Sequence, residues 1–184
     1  MNHHKAFSNV VLPALLLLII PVAVLAQKRD HLTMQEIDLV KEAQILDKRI
    51  EVFIKAAERR LMVLNGNTTA NAKQLKKDSE RWGELPSGSR GELIGDIARI
   101  LDEAITNIDD VSARDERNPL IPKALRKLAQ AVTNIQTQVA PLRSQLKGEA
   151  EVASFERLDE DVQSILEAAK KLPPEAEKKA KNKP

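Results

Sequence analysis

The stretch Ser89–Val111, SRGELIGDIARILDEAITNIDDV, decides the fold class. Ser89 followed three residues later by Glu92 makes a capping box, in which the hydroxyl accepts from a first-turn amide and the carboxylate reaches back to the cap's own amide. Behind it Ile94, Ile97, Leu101, Ala104, Ile108 and Val111 recur in alternating steps of three and four, the period of one helix face. Leu93, Ile100 and Ile105 widen that face to the breadth a bundle helix requires. A helix over 89–114 follows, fraying around Ala113–Glu116. Gly91 and Gly95 in its first turns fit either a close backbone approach or simple tolerance near a helix end.

The same grammar repeats on both sides. Thr33 and Glu36 form a second capping box, and Ile37, Val40, Ala43, Leu46, Ile50, Phe53, Ala57, Leu61 and Leu64 continue one apolar line. This predicts a single helix over 33–64, roughly 45 Å long at about 1.5 Å per residue, ended by Asn65-Gly66. Downstream, Asn118-Pro119 opens a helix over 119–147, with Pro122 in its first turn where proline is acceptable. Pro141 falls within the line Val132, Ile135, Val139, Leu142, Leu146 without disturbing its phase, so a kink near Val139–Pro141 is expected rather than a stop. After Gly148 a fresh line, Val152, Phe155, Leu158, Val162, Ile165, Ala169 and Leu172, predicts a helix over 150–172 that Pro173-Pro174 terminate.

These four patterns, with no strand signal, predict an all-α four-helix bundle, with up-down-up-down order favoured. Short connections at 113–118 and 147–150 predict that the last three helices are antiparallel neighbours. Segment 65–88 is different. At about 3.3 Å per residue it can span the bundle in either sense, leaving the first two helices parallel or antiparallel. It is a long first loop, although a short helix over 70–81 fits its thin apolar spacing. Residues 173–184, rich in Lys and Ala, read as a disordered basic tail.

The chain of 184 residues carries a formal charge of +2, so no large field of either sign points to nucleic acid. Beyond the first 26 residues the only aromatics are Phe53, Trp82 and Phe155, so the core must be aliphatic, which suits helices. Residues 1–26 have the three parts of a secretory signal: a short polar start with Lys5, the apolar run Val10–Ala26, and the small residues Val24 and Ala26 at −3 and −1 of a cut before Gln27. The competing reading is an uncleaved anchor. Val10–Ala26 is at the bottom of the ~17–25 residue range for a spanning helix, and Pro13 and Pro21 weaken it further. Export to the periplasm or medium is the expectation, an outward-facing inner-membrane anchor the alternative.

Catalytic and metal motifs are sparse. His3 and His4 depart with the leader, leaving His31 as a solvated residue in the polar lead Gln27–Leu32. No cysteine exists, so covalent haem attachment through Cys-x-x-Cys-His is impossible, and no predicted helix holds the Glu-x-x-His of a carboxylate metal site. No Gly-x-Ser-x-Gly elbow or phosphate-cradling glycine loop appears. Asp159-Glu160-Asp161 reads as a solvated face, and Lys55, Arg59 and Arg60 as surface charges balanced by Glu51 and Glu58 at helical spacing. Asn67-Thr68-Thr69 matches a glycosylation sequon that matters only in a eukaryotic secretory route. The sequence therefore predicts no enzyme, no metal and no cofactor.

Segment 65–88 carries the binding candidates: Trp82, the one large aromatic outside the predicted helices, with Lys76, Lys77 and Arg81 beside it. Trp82 pins the loop over the bundle end or serves partner recognition, since tryptophan is enriched at binding hot spots. The pairing of Leu32-Thr33-Met34-Gln35-Glu36 and Asp47-Lys48-Arg49-Ile50 with Trp82-Gly83-Glu84-Leu85-Pro86 resembles a group of uncharacterised exported bacterial proteins, Acidobacteria-like in source. The resemblance spans most of the mature chain. It implies an exported helical protein and brings no activity or site residue with it. The expected function is a non-catalytic exported bundle that binds a protein or envelope component. The alternatives are a cofactor- or small-molecule-carrying bundle, with a dry pocket lined by residues such as Leu101, Ile135 and Val162, and an anchored accessory subunit of a membrane complex. Partner identity and oligomeric state are not legible.

Overall fold

The computed structural model describes residues 29–67 and 72–174, which are all-α, without a strand. The leader 1–26, Thr68 and Thr69 of the sequon, and the tail 175–184 lie outside the described residues. Six α-helices follow in order: α1 Met34–Glu42, α2 Leu46–Leu64, α3 Ala72–Trp82, α4 Arg90–Arg114, α5 Leu120–Val139 and α6 Gly148–Lys170. Among the described residues no helix is long and apolar enough to cross a membrane.

Both capping boxes form, Thr33 with Glu36 on α1 and Ser89 with Glu92 on α4. The helix expected over 33–64, however, is two helices. The chain turns back at Ala43–Ile45, so that Glu36 reaches Arg60, with Oε2 2.7 Å from Nη2. In one straight helix those two residues would stand roughly 36 Å apart at about 1.5 Å per residue. Tertiary contact has overridden local continuity. The break itself is tied by the Arg49 side chain, whose Nε donates to the Ala43 carbonyl at 2.9 Å and whose Nη1 donates to Asn107 at 3.1 Å.

The short helix that fits 70–81 is present as α3 within the long first connection, and Trp82, expected outside the helices, is its last residue. Past Val139, where a kink was expected, the α-helix does not continue. The chain tightens into a 3₁₀ helix, Ala140–Gln145, because Pro141 has no amide to donate and its ring crowds the preceding turn. Leu142 stays buried, so the apolar phase survives the change of helix type.

The core is a single apolar cluster contributed by α2, α4, α5 and α6, with Ile50, Phe53, Ile94, Ile97, Leu101, Leu128, Ile135 and Leu158 fully buried. Each such aliphatic residue contributes about 1.5–3 kcal/mol, opposed by the entropy of ordering the chain. The packing pairs are α2 with α4, α2 with α5, α4 with α6, and α5 with α6. α4 and α5 meet only slightly, so these sequence neighbours lie across the core from one another, contrary to expectation. Cross-contacts give the directions. Arg49 meets Asn107 near the start of α2, while near its end Arg60 holds the His31 carbonyl and Arg29, two residues before His31, pairs with Asp96, so α2 and α4 are antiparallel. Asp47 meets Lys123 and Asn65 meets Gln138, so α2 and α5 are parallel. α4 and α6 are also parallel, with Gly91 beside Glu151 and Asp102 beside Arg157. The glycines at 91 and 95 are a true close approach: a Cβ at Gly91 would fall 3.0 Å from Glu151 Cγ, and one at Gly95 3.3 Å from Ser154 Oγ.

Candidate functional site

Polar chemistry gathers at one end of the core, where the lead 29–33 and α1 fold over α2 and α4. Glu36 is fully buried, and Arg60 binds it in a fork, Nη1 to Oε1 at 2.8 Å and Nη2 to Oε2 at 2.7 Å. The Thr33 amide donates to the same carboxylate at 2.9 Å, and Arg59 Nε lies 3.2 Å from Oε1. Arg60 also donates to the carbonyls of Ala56, at 2.8 Å, and His31, at 2.6 Å. One carboxylate thus caps a helix, is forked by Arg60, stands in an ion pair with Arg59 and holds the lead segment. These are the charge-assisted, geometrically specific hydrogen bonds that guanidinium forks favour.

Arg59, the neighbouring residue, fastens the other wall. Its Nη2 donates to the carbonyls of Gly83, at 3.2 Å, and Glu84, at 2.5 Å, and its guanidinium stands 5.7 Å from the Trp82 ring centroid. Burial pulls the Arg59 guanidinium below its ordinary range, against the Glu36 charge that raises it. Gly83 turns the chain out of α3 with φ +67°, and a Cβ there would lie 2.9 Å from the Gln35 side chain. Only glycine suits both the backbone and the space. Pro86 is buried just beyond.

Between these walls runs an open, mainly polar groove of about 670 Å³, bounded by Thr33 and Gln35 on one side and Gly83–Ser87 on the other. Arg29 and Asp30 separate it from a second groove of about 510 Å³ that continues over α4 towards Arg157. In this second groove His31 Nε2 is 2.8 Å from Glu103 Oε2, and Asp30 Oδ1 is 3.5 Å from His31 Nδ1. His31 is therefore a structural link between the lead and α4, not the solvated residue expected. Beneath both grooves Asp96 is fully buried, with Arg99 Nη2 2.6 Å from Oδ1 and Arg29 Nη2 2.8 Å from Oδ2. The second contact is an ion pair without an aligned N–H, since among the described residues Oδ2 has no hydrogen-bond donor. Burial pushes the Asp96 carboxyl up, and the Arg29, Arg60 and Arg99 charges offset only part of that rise.

Of the residues singled out by sequence, Trp82 is brought behind the groove, half-buried against Arg59. Lys76, Lys77 and Arg81 are not. All three are exposed on α3, whereas Asp78 and Trp82, four residues apart, face α2. Lys55 Nζ is 3.3 Å from Asp78, so the expected Lys55 pairing within α2 is replaced by a tie to α3. Arg59 and Arg60 are not surface charges but among the most buried side chains of the molecule. Sequence reasoning missed Arg29, Glu36 and Arg60. The one available signal was the pair of segments 32–36 and 82–86, far apart in the chain, which together build the groove walls. The third segment, Asp47–Ile50, lies near the far end of α2, where Lys123 and then Lys127 hold the Asp47 carboxyl low.

The acidic triplet of α6 is also not uniformly solvated. Asp159 pairs with Arg143 and Glu160 is exposed, but Asp161 is half-buried, and among the described residues its Oδ2 accepts no hydrogen bond. Burial first, then the Asp102 charge, push its carboxyl up to about 6, with Arg157 opposing and Glu160 adding. Leu101, Ile135 and Val162, candidates for a dry cofactor pocket, belong to the shared apolar core. Among the described residues no group of three or more His, Asp or Glu could hold a metal ion. No protein-family model, curated protein or solved structure matches the chain.

Proposed function

We propose that the chain is an exported, non-catalytic protein, built as a four-helix bundle, that binds a protein or envelope component through the groove between Thr33–Gln35 and Gly83–Ser87. The observation that carries this reading is the investment in the groove walls. Two distant segments are clamped by one pair of adjacent arginines, and the surface between them stays open and polar. Rigid walls lower the ordering cost of binding, which is what a recognition surface needs. Export rests on Val10–Ala26 and the small residues before Gln27. The exposed Lys76, Lys77 and Arg81 on α3 extend the surface beside the groove.

The test is photo-crosslinking in the producing cell, with the reactive side chain at Ser87 in the groove or at Ser164, exposed on α6. A discrete adduct from position 87 and none from 164 is expected. Equal adducts from both, or none from 87, would sink the groove as the recognition surface. Sequencing the mature amino terminus addresses the anchor alternative: Gln27 as first residue removes it.

A further inference from the structure

Residues 43–45 interrupt a helix that their own chemistry would continue. Ala43, Gln44 and Ile45 include no glycine or proline, and Ala43 and Gln44 are good helix formers, although three successive steps of three from Ile37 to Leu46 turn the apolar line by about half a turn across them. They make a poor helix boundary. Ile45 begins α2 with no side-chain cap and stands 55% exposed, an apolar residue in water. What folds α1 back is tertiary: Glu36 on Arg60, the His31 carbonyl on Arg60, and Arg29 on Asp96. Each of these ties reaches from the arm 29–42 to α2 or α4. None requires that arm and body belong to the same chain.

We infer that residues 29–42 are an exchangeable arm and that its occupant site is shared with a second copy of this chain. When 43–45 become helical, 34–64 forms one straight helix, and the first amides of α2 gain the intrahelical carbonyls they lack at a helix start. The arm then projects roughly 20 Å beyond the core at about 1.5 Å per residue, carrying Ile37 and Val40 off their present packing. Docking on α2 and α4 of a second copy covers them again, with the same Glu36–Arg60 fork formed between chains. The second copy's arm docks in return, which closes a two-fold dimer without any new surface. Because Thr33 and Gln35 belong to the arm, exchange carries one wall of the groove to the second copy, but the inference does not depend on what the groove binds.

Size-exclusion chromatography with light scattering on the full chain, over a range of concentrations, provides the test. Ile45→Ala favours the straight helix and raises the dimer fraction severalfold over wild type. Ile45→Pro abolishes the dimer: proline's φ of about −65° is near the −89° Ile45 already adopts, but proline cannot sit inside a straight helix. A second readout uses Glu36→Arg and Arg60→Glu. Each variant alone loses the dimer. Refolded together they recover a heterodimer, because each arm meets the body that matches its charge. Monomers at every concentration for both wild type and Ile45→Ala overturn the exchange, as does a dimer that survives Ile45→Pro or a mixture that yields no heterodimer.

Discussion

Two helices of this molecule begin with the same device and come to different ends. At α4, the Ser89–Glu92 box faces water: the Ser89 amide donates to Glu92 Oε2 at 2.7 Å, and the helix then runs unbroken to Arg114. At α1, the Thr33–Glu36 box lies in the protein interior, its carboxylate shared with Arg60 and Arg59, and the helix stops after Glu42. The local hydrogen bonds are alike. The difference is what else the glutamate touches. A capping box fixes where a helix starts; the second partners of its carboxylate decide where that helix goes.

The most forceful way to break the comparison is Glu36→Ala. It leaves two guanidiniums buried without their carboxylate, and removing one partner of a buried pair costs about 3–5 kcal/mol. A large fall in the urea midpoint is expected, with loss of the lead and α1 from hydrogen-exchange protection. A midpoint within error of wild type would show that the buried cluster does not hold the fold. Next in size is Gly83→Ala, which forces a side chain into φ +67° and against Gln35, for about 1–2 kcal/mol. Trp82 is the sole tryptophan, so its emission should shift to the red as its contact with Arg59 loosens. An unchanged spectrum would mean that the α3 exit tolerates the strain.

Asp161 sharpens the comparison from a third direction, because it has neither a cap nor a guanidinium fork. Its carboxyl, near 6 in the fold, lies above its ordinary 3.8. A raised folded value means that the favourable contribution is present below about pH 3.8 and is lost as pH rises through 6. The full shift corresponds to about 3 kcal/mol; solvent screening of a half-exposed group discounts that to about 1 kcal/mol. Asp161→Asn should therefore be more stable than wild type above pH 6 and indistinguishable from it near pH 3.8, in urea melts at the two pH values. A variant less stable than wild type at neutral pH would refute the sign. A buried carboxylate stabilises only where its partners outweigh its desolvation.

The same principle explains what the sequence made legible. Helix starts at Thr33 and Ser89 and stops at Asn65-Gly66 and Pro173-Pro174 are local chemistry, and all are found. The break at 43–45 left one faint mark, the three successive steps of three from Ile37 to Leu46 that turn the apolar line by about half a turn, but its cause, Glu36 on Arg60, joins residues far apart in the chain. The crossing of α4 and α5 was hidden for a geometric reason. Packed neighbouring helix axes are about 8–10 Å apart, so a helix across the core is only some 14 Å away, a distance that a connection of five or six residues covers as readily as the shorter one. Of the groove, Trp82 was visible as a lone aromatic. Arg59 and Arg60 were not, because paired charges on an amphipathic helix look the same whether they face water or each other's partners.

The smallest effect is the control on which the comparison rests. Glu92→Gln removes the charge from a box that faces solvent, where the Ser89 amide first, and its hydroxyl second, hold the carboxyl low. A lowered folded value means that this contribution is present at neutral pH and is lost as pH falls through the folded value. The variant should leave the urea midpoint nearly unmoved. Only the amides of the first α4 turn should exchange faster at pH 7, and that difference should shrink in acid as wild-type Glu92 protonates. If Glu92→Gln instead destabilises the whole chain as Glu36→Ala does, the two boxes are energetically alike. The bend at 43–45 would then need a cause other than the burial of Glu36.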